Sequence, residues 1–294
     1  MANLKAIRTR ISSVKSTRQI TSAMKMVSAA RLRKAQDRIM QLRPYATKLR
    51  EILAGLAKSL EDTGEASVFS RKSEPKKVLI VVITSNRGLC GGFNANVIRE
   101  VRRLVSEDYA DQYSKGNLAF MAIGKKGYDY VRKLENAEVE EFNHIYGRLG
   151  FETVSKLASA IMADFICEQV HKVVLVYNQF KNAAVQKLTT EVFLPVEMEE
   201  SDDTSPVISD YIYEPSREEI VTELIPRSLK IQFYKALLDS FAAEHGARMT
   251  SMHTATDNAT SLIRDLTLQY NKARQASITS QILEVVSGAE ALKG

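Results

Sequence analysis

The fold is decided by one stretch, which runs from Leu4 to Leu60: LKAIRTRISSVKSTRQITSAMKMVSAARLRKAQDRIMQLRPYATKLREILAGLAKSL. Steps of alternately three and four residues trace a single seam along it, and thirteen of its seventeen positions are apolar. A seam of this period is typical of a helix that coils around another helix. At about 1.5 Å per residue the helix would be roughly 85 Å long, more than a compact domain can cover. The stretch is therefore predicted to be an arm or a shaft.

The seam becomes polar in its middle, at Arg18, Thr21, Lys25 and Ser28. In the same turns apolar residues occupy a neighbouring face, at Ile20, Ala23, Met24 and Val27. Two interpretations stay open. Either the helix presents a second apolar face to a third body, or the seam slips locally.

The charge of the first fifty residues is unusually uneven, with thirteen Lys and Arg against one acid, Asp37. That segment carries +12 in a chain whose total is +6, so the remainder carries −6. A basic helix of this kind suits an acidic partner, which could be nucleic acid, anionic lipid or an acidic protein surface. Aromatic side chains that would stack on bases are nearly absent there, since Tyr45 stands alone.

The two cysteines, Cys90 and Cys167, lie in apolar sequence and are predicted to be reduced, buried thiols. No run of eighteen apolar residues occurs, so no membrane-spanning helix is predicted. The first twenty residues lack acids, as mitochondrial transit peptides do. Their apolar positions nevertheless continue the seam of the next forty residues, which assigns them to the shaft.

The middle of the chain alternates apolar runs with amphipathic ones. Strands are predicted at Val78–Ile83, Leu118–Ile123, Val173–Tyr177 and Val185–Phe193. Helices are predicted from an N-cap at Asn94 to about Leu104, and at Lys125–Leu134 and Phe151–Glu168. Such alternation favours an open, Rossmann-like α/β domain with a mainly parallel sheet.

A second long seam begins at Ile231, and twelve of its seventeen positions to Ser287 are apolar. Its later positions are Met252, Ala255, Ala259, Leu262, Leu266, Gln269, Ala273, Ala276, Ser280 and Leu283. Both long helices join the α/β domain at the same end, so an antiparallel two-helix coiled coil is predicted. Paired residue numbers should add to roughly 280, which sets Leu4 against Ala276.

The predicted organisation is a shaft helix over 1–60, a linker over 61–76, the inserted α/β domain over 77–195, a linker over 196–216 and a second shaft helix over 217–294 that is interrupted at Pro226. The second helix would extend past the first by about fifteen residues in this register. We call the large apolar residues of that end the apolar tip: Ile278, Ile282, Leu283, Val285 and Val286. An exposed end of this kind needs a hydrophobic socket on another molecule.

The turn SNRGLCGG, Ser85 to Gly92, follows the first strand, where nucleotide-binding folds place their phosphate-binding glycines. Its spacing matches neither G-x-G-x-x-G nor G-x-x-x-x-G-K-[ST], and no acid follows the second strand to hold a ribose. A structural turn is therefore preferred. The histidines are dispersed, and no group of residues has metal-ligand spacing. His253, Asp257 and Ser251 are close in sequence, but without a pocket they do not indicate a catalytic triad.

Over its whole length the chain resembles the gamma subunits of rotary F-type ATP synthases. Four segments carry the resemblance: ITSAMKMVSAARLRKAQ (Ile20–Gln36), ITSNRGLCGGFN (Ile83–Asn94), MHTATDNATSLI (Met252–Ile263) and YNKARQASITSQILEVVSGAEAL (Tyr270–Leu292). The resemblance implies a non-catalytic central rotor shaft without a cofactor. The implied partners are the alpha and beta subunits of the catalytic hexamer, the epsilon subunit and the membrane ring of c subunits, with no nucleic acid and no small-molecule substrate. The implied location is the cytoplasmic face of a bacterial inner membrane.

The resemblance also assigns candidate contact residues. Contacts to the beta subunits fall on Met24 and Lys25 near the start of the chain and on Arg274, Gln275 and Thr279 near its end. The apolar tip would stand in a sleeve formed by alpha and beta subunits, and Tyr211 and Tyr213 would contact the membrane ring. The chain lacks the cysteine-bearing insertion of chloroplast members, so thiol regulation is not expected. Many members carry Asp at Asn86, a change expected to matter little.

Two rival functions remain open from the residues alone. A coiled-coil nucleic-acid binder would explain the basic first helix. A nucleotide-dependent α/β enzyme would explain the glycine-rich turn.

Overall fold

The computed structural model describes residues 4–61, 69, 75–135, 137–196 and 217–291. These residues belong to two units. The two-helix unit comprises Met1–Ala29 and Arg248–Gly294, and the α/β unit comprises Ala30–Ala247. The two predicted linkers, 61–76 and 196–216, lie mostly outside the described residues. The domain boundaries that depend on them therefore remain a prediction.

The chain begins and ends in long helices, α1 (Leu4–Glu61) and α6 (Arg217–Ala291). Both contain an internal proline, Pro44 in α1 and Pro226 in α6. The predicted interruption of the second helix at Pro226 is wrong. The proline removes one backbone donor, but buried Ile225 and Leu229 on either side hold that turn in place by packing.

In the two-helix unit, the seam of α1 keeps one register on either side of Arg18, which is itself exposed. Leu4, Ile7, Ile11 and Val14 are half-buried, and Thr21 and Ser28 are buried in the same register. A local slip of the seam is therefore excluded. The neighbouring apolar face is exposed instead, as Ile20 and Val27 show.

Beyond Ala259, the seam of α6 follows the predicted heptads at alternate positions only. Met252, Ala259 and Leu266 are buried as predicted. The intervening half-buried positions after Ala259 are Ile263, Tyr270 and Ser277, each one residue beyond the predicted Leu262, Gln269 and Ala276. A seam that steps four residues and then three has the same seven-residue period as one that steps three and then four. The spacing of apolar residues in the sequence therefore did not distinguish the two seams. The packing in the structure distinguishes them, because Leu262 is exposed.

The register of the two helices is fixed by two hydroxyl groups. Thr256 Oγ1 donates to Thr21 Oγ1 over 2.8 Å, and Thr21 Oγ1 donates onward to the main-chain oxygen of Arg18 over 3.0 Å. The residue numbers 21 and 256 add to 277, which is within one helical turn of the predicted sum of roughly 280.

In the α/β unit, the described residues form one five-stranded sheet in the order β3-β2-β1-β4-β5. The strands are β1 (Val78–Ile83), β2 (Leu118–Ile123), β3 (Ala137–Glu141), β4 (Lys172–Phe180) and β5 (Gln186–Leu194). β1 pairs parallel with both β2 and β4, and only β5 is antiparallel. Every residue of β1 and β2 is buried, as expected for central strands covered on both faces. The predicted mainly parallel sheet is confirmed.

The helices between the strands are α2 (Phe93–Arg103), which continues into a π-helical turn (Leu104–Asp108), α3 (Ala110–Ser114), α4 (Lys125–Val131) and α5 (Phe151–Ile166), with a 3₁₀ segment over Asn143–Arg148. α2 and α4 cover one face of the sheet, where Val97, Val101 and Val131 pack on Ile80 and Phe120.

Strand β3, which reads AEVEE, was not predicted from the sequence. It is an edge strand whose exposed acids face solvent while Val139 packs on the core. The charges on an edge strand of this kind disfavour pairing with other chains. They also interrupt the apolar run by which a strand is usually predicted from sequence.

Candidate interaction surfaces

The apolar tip lies on the last turns of α6 and is open to solvent. Its five side chains are 47–72% exposed. A contiguous set of large apolar side chains at a helix end is unfavourable in water and marks a protein interaction site. These residues are therefore exposed at the end of the second long helix, as the sequence predicted.

The predicted beta-subunit contacts on α6 share the side of the helix that carries most of the tip. Arg274, Gln275 and Thr279 are exposed, and the hydroxyl of Thr279 donates to the Gln275 main-chain oxygen over 3.0 Å. By helical periodicity they lie away from the half-buried seam residues Ala273 and Ser277. A partner that grips the tip can thus reach these polar groups as well.

The predicted contacts on α1, Met24 and Lys25, are half-buried. Beside them Ile20, Met26 and Val27 are more than half exposed. α1 therefore presents a mixed basic and apolar surface at this level. The candidate ring contacts Tyr211 and Tyr213 lie outside the described residues.

The glycine-rich turn after β1 is held by its own hydrogen bonds. The predicted N-cap at Asn94 is wrong, because α2 starts at Phe93 with Gly92 as its N-cap. The side chain of Asn94 instead accepts from Ser85 N over 3.0 Å and donates to Ser85 Oγ over 2.8 Å. Leu89 takes a left-handed conformation (φ 63°) and points into solvent. These features favour the structural turn over a phosphate cradle.

Asn86 bridges two loops at this end of the sheet. Its amide donates to the main-chain oxygen of Asn143 over 3.1 Å, and its side-chain oxygen accepts from Lys125 N over 3.0 Å. An Asp here would keep the acceptor and lose the donor. The bridge argues against the expectation that this position matters little.

The cysteine prediction is half right. Cys90 is buried against Phe93 and Ala243, whereas Cys167 is exposed. Cys167 caps the C-terminal end of α5, where the buried face of that helix ends at Phe165. The apolar sequence around it belongs to α5 and does not cover the thiol.

His253 and Asp257 form an exposed pair across one helical turn, with Nδ1 to Oδ2 at 3.2 Å. Among the described residues no group of His, Cys, Asp and Glu has the geometry to hold a metal ion. Within the same part of the chain, no helix is long and apolar enough to cross a membrane.

A buried polar cluster joins α6 to the sheet, and the sequence did not reveal it. Asp239 of α6 is 5% exposed. The pKa of Asp239 is raised to about 6, chiefly by burial; Lys235 and Arg43 oppose the rise, and Glu191 of β5 contributes to it. The sign of this cluster in the sequence was the presence of Asp239 inside a largely apolar run, FYKALLDSFAAEHGA.

Taken together, the long paired helices, the inserted sheet domain and the exposed apolar end define a helical shaft protein that acts through contacts with other proteins. Comparison with known proteins gives the family. A model of the ATP synthase family matches residues 3–292. The chain belongs to this family, and its similar full-length relatives are gamma chains.

Three of these relatives span essentially the whole chain. The ATP synthase gamma chain of Flavobacterium psychrophilum is 55% identical over 295 residues, covering 100% of both chains. That of Christiangramia forsetii is 53% identical over 294 residues, again covering 100% of both. That of Cytophaga hutchinsonii is 49% identical and covers 99% of each.

Solved structures share the fold. A chain from the central stalk and c-ring structure of the Tetrahymena thermophila mitochondrial ATP synthase aligns with a TM-score of 0.56 and 24% identity, covering 80% of this chain and 99% of that chain. A chain from the OSCP/F1/c-ring structure of the Euglena gracilis enzyme aligns with a TM-score of 0.67 and 19% identity, covering 98% and 94%. The predicted fold class is thereby confirmed.

Proposed function

We propose that the chain is the non-catalytic central-stalk rotor of an F-type ATP synthase. By rotating, it would couple ion flow through the membrane ring to ATP synthesis or hydrolysis on the surrounding alpha and beta subunits. One observation carries the proposal beyond family membership. Near its end the long helix α6 carries five solvent-exposed apolar side chains, which is typical of a surface that another molecule covers.

The proposed rotor mechanism depends on a shaft that lacks the threefold symmetry of the subunits around it. Three chemically identical catalytic subunits around one shaft each meet a different face of it, so each is biased toward a different conformation. The faces of the two-helix unit differ in the required way. Ile20 and Val27 expose an apolar face on α1, and Arg274 and Gln275 expose a polar one on α6. Turning the shaft exchanges these biases in sequence.

The contact residues of the proposal are specific. The apolar tip stands in the sleeve of alpha and beta subunits, where a surface without directional bonds permits sliding. Arg274, Gln275 and Thr279 contact a beta subunit by hydrogen bonds and charge. Met24 and Lys25 contact an acidic segment of a beta subunit, which fits the exposed basic surface of α1.

The remaining partners are the epsilon subunit and the membrane ring of c subunits, with Tyr211 and Tyr213 as the ring contacts. The protein would then be peripheral, held at the cytoplasmic face of a bacterial inner membrane by the ring. The bacterial gamma chains that it resembles at 49–55% identity support a bacterial setting.

The two rival functions are less well supported. The glycine-rich turn uses its polar groups internally, which removes the structural argument for a nucleotide enzyme. Micromolar ATP binding by the isolated chain in calorimetry would revive that alternative. Tight binding to duplex DNA with a steep salt dependence would instead favour a nucleic-acid binder.

The decisive experiment substitutes Arg274→Ala together with Gln275→Ala in the complete synthase. We expect proton- or sodium-driven ATP synthesis to fall several-fold while the complex still assembles, because both side chains are exposed on α6 and support no internal packing. Arg264→Ala removes an exposed cation about 15 Å further along the same helix, away from the proposed contact, and is the matched control. Synthesis unchanged in the double variant would reject these contact sites.

A further inference from the structure

The junction of α1, α6 and the β4–β5 hairpin within the α/β unit contains a partly open pocket of about 280 Å³. Ile39 and Arg43 of α1, Phe180 of β4, and Lys235 and Asp239 of α6 line it. Asp239 is almost fully buried, yet it lines a space large enough for water. A buried acid with access to water can exchange its proton without the fold opening.

The charged and titratable groups that face Asp239 come from all the elements around it. Arg43 approaches from α1, Lys235 from α6, Glu191 from β5 and Tyr177 from β4. Two acids thus oppose two cations, and Arg43 is exposed to solvent, which weakens its effect.

Glu191 is held in place by two hydrogen bonds. Its oxygens accept hydrogen bonds from the Tyr177 hydroxyl, over 2.9 Å, and from the side-chain amide of Gln232. Asp239 is the acid of this cluster that takes up a proton, because burial raises its pKa.

We propose that Asp239 is a proton-operated contact that tightens the packing of α6 against α1 and the sheet when it is protonated. The sign follows from the burial. The folded junction favours the neutral acid, since the pKa is raised from 3.8 to about 6. An opened junction lets Asp239 titrate normally, so opening becomes easier as pH rises from about 4 to 6 and levels off above.

Hydrogen exchange on the full chain tests the proposal, with rates corrected for the intrinsic effect of pH. For peptides covering β5 and residues 231–243, the opening constant should rise about tenfold between pH 5 and pH 8, most of it below pH 6.5. Asp239→Asn should abolish this rise and keep the junction protected at both pH values. Asp37→Asn, at an exposed site on α1, should retain the wild-type response.

A second variant tests the idea independently of how well Asp239→Asn folds. Lys235→Gln removes a cation that favours the charged acid, so the midpoint of the response should move to higher pH. The proposal is overturned if Asp239→Asn shows the wild-type response, or if Lys235→Gln leaves the midpoint in place or lowers it.

Discussion

The side-chain amide of Asn86 donates a hydrogen bond to the main-chain oxygen of Asn143 across 3.1 Å, although 57 residues separate them in sequence. The same side chain accepts from Lys125 N. Asn86 therefore ties the turn after β1 to the start of α4 and to the segment after β3. The contact with Asn143 was not predictable from the sequence, because β3, which precedes that segment, was not predicted.

Asn86→Asp should lower the free energy of unfolding by about 1–2 kcal/mol at neutral pH, because a carboxylate cannot donate to Asn143 and would oppose its carbonyl oxygen. Urea unfolding measures the change. Asn182→Asp is the matched control, since the Asn182 oxygen only accepts, from Ala184 N and Val185 N. Equal effects of the two substitutions would contradict the bridging role.

Thr21 and Thr256 should be energetically coupled across the helix pair. In a double-mutant cycle of Thr21→Val and Thr256→Val, we expect a coupling free energy of about 1 kcal/mol, typical of an intramolecular hydrogen bond. Each valine keeps the volume of threonine, so packing changes little. The exposed pair Thr17→Val and Thr254→Val should give a coupling near zero, and a similar value for Thr21 and Thr256 would refute the contact.

Gly246 and Gly288 lie in the same helix, α6, and allow a matched comparison. A Cβ at Gly246 would approach the Ala183 main-chain oxygen to 3.1 Å, whereas nothing lies within 4 Å at Gly288. Gly246→Ala should therefore destabilise the chain by about 1–2 kcal/mol despite the helix preference of alanine. Gly288→Ala should increase helicity near the end of α6. Circular dichroism during thermal unfolding reports both, and a neutral Gly246→Ala would show that the hairpin yields easily.

Lys25→Glu should reduce turnover of the assembled synthase more at low than at high ionic strength. The reason is that a charge contact between Lys25 and an acidic beta segment is screened by salt. ATP hydrolysis measured across a salt series gives the dependence. Lys34→Glu, an exposed change on the same helix, is the control; the same salt dependence in both variants would argue against a specific contact at Lys25.

The sequence predicted the fold well where hydrophobic period and length were decisive. Val78–Ile83 and Leu118–Ile123 were placed to the residue, because buried parallel strands are short, continuous apolar runs. The long helices were predicted because a seam over dozens of residues has no other explanation. β3 was missed because its charged edge carries no such run, and helix continuity at Pro226 depends on packing that sequence does not display.

The candidate sites divide in the same way. Exposure of Ile278 and Ile282 was predictable, because the second seam continues beyond the length of the first. The cluster around Asp239 was not, since it depends on which residues of β5 and α1 come to face α6. Whether Tyr211 and Tyr213 contact the ring remains a prediction.

The apolar end of α6 also bears on how the cell must make this chain. Copies produced in excess of their partner subunits would keep these apolar side chains exposed to solvent. Such copies would tend to aggregate, to be bound by chaperones and to be degraded by proteases. Balanced synthesis with the other subunits, or rapid destruction of the surplus, is the expected remedy. An orphaned copy should accordingly be short-lived.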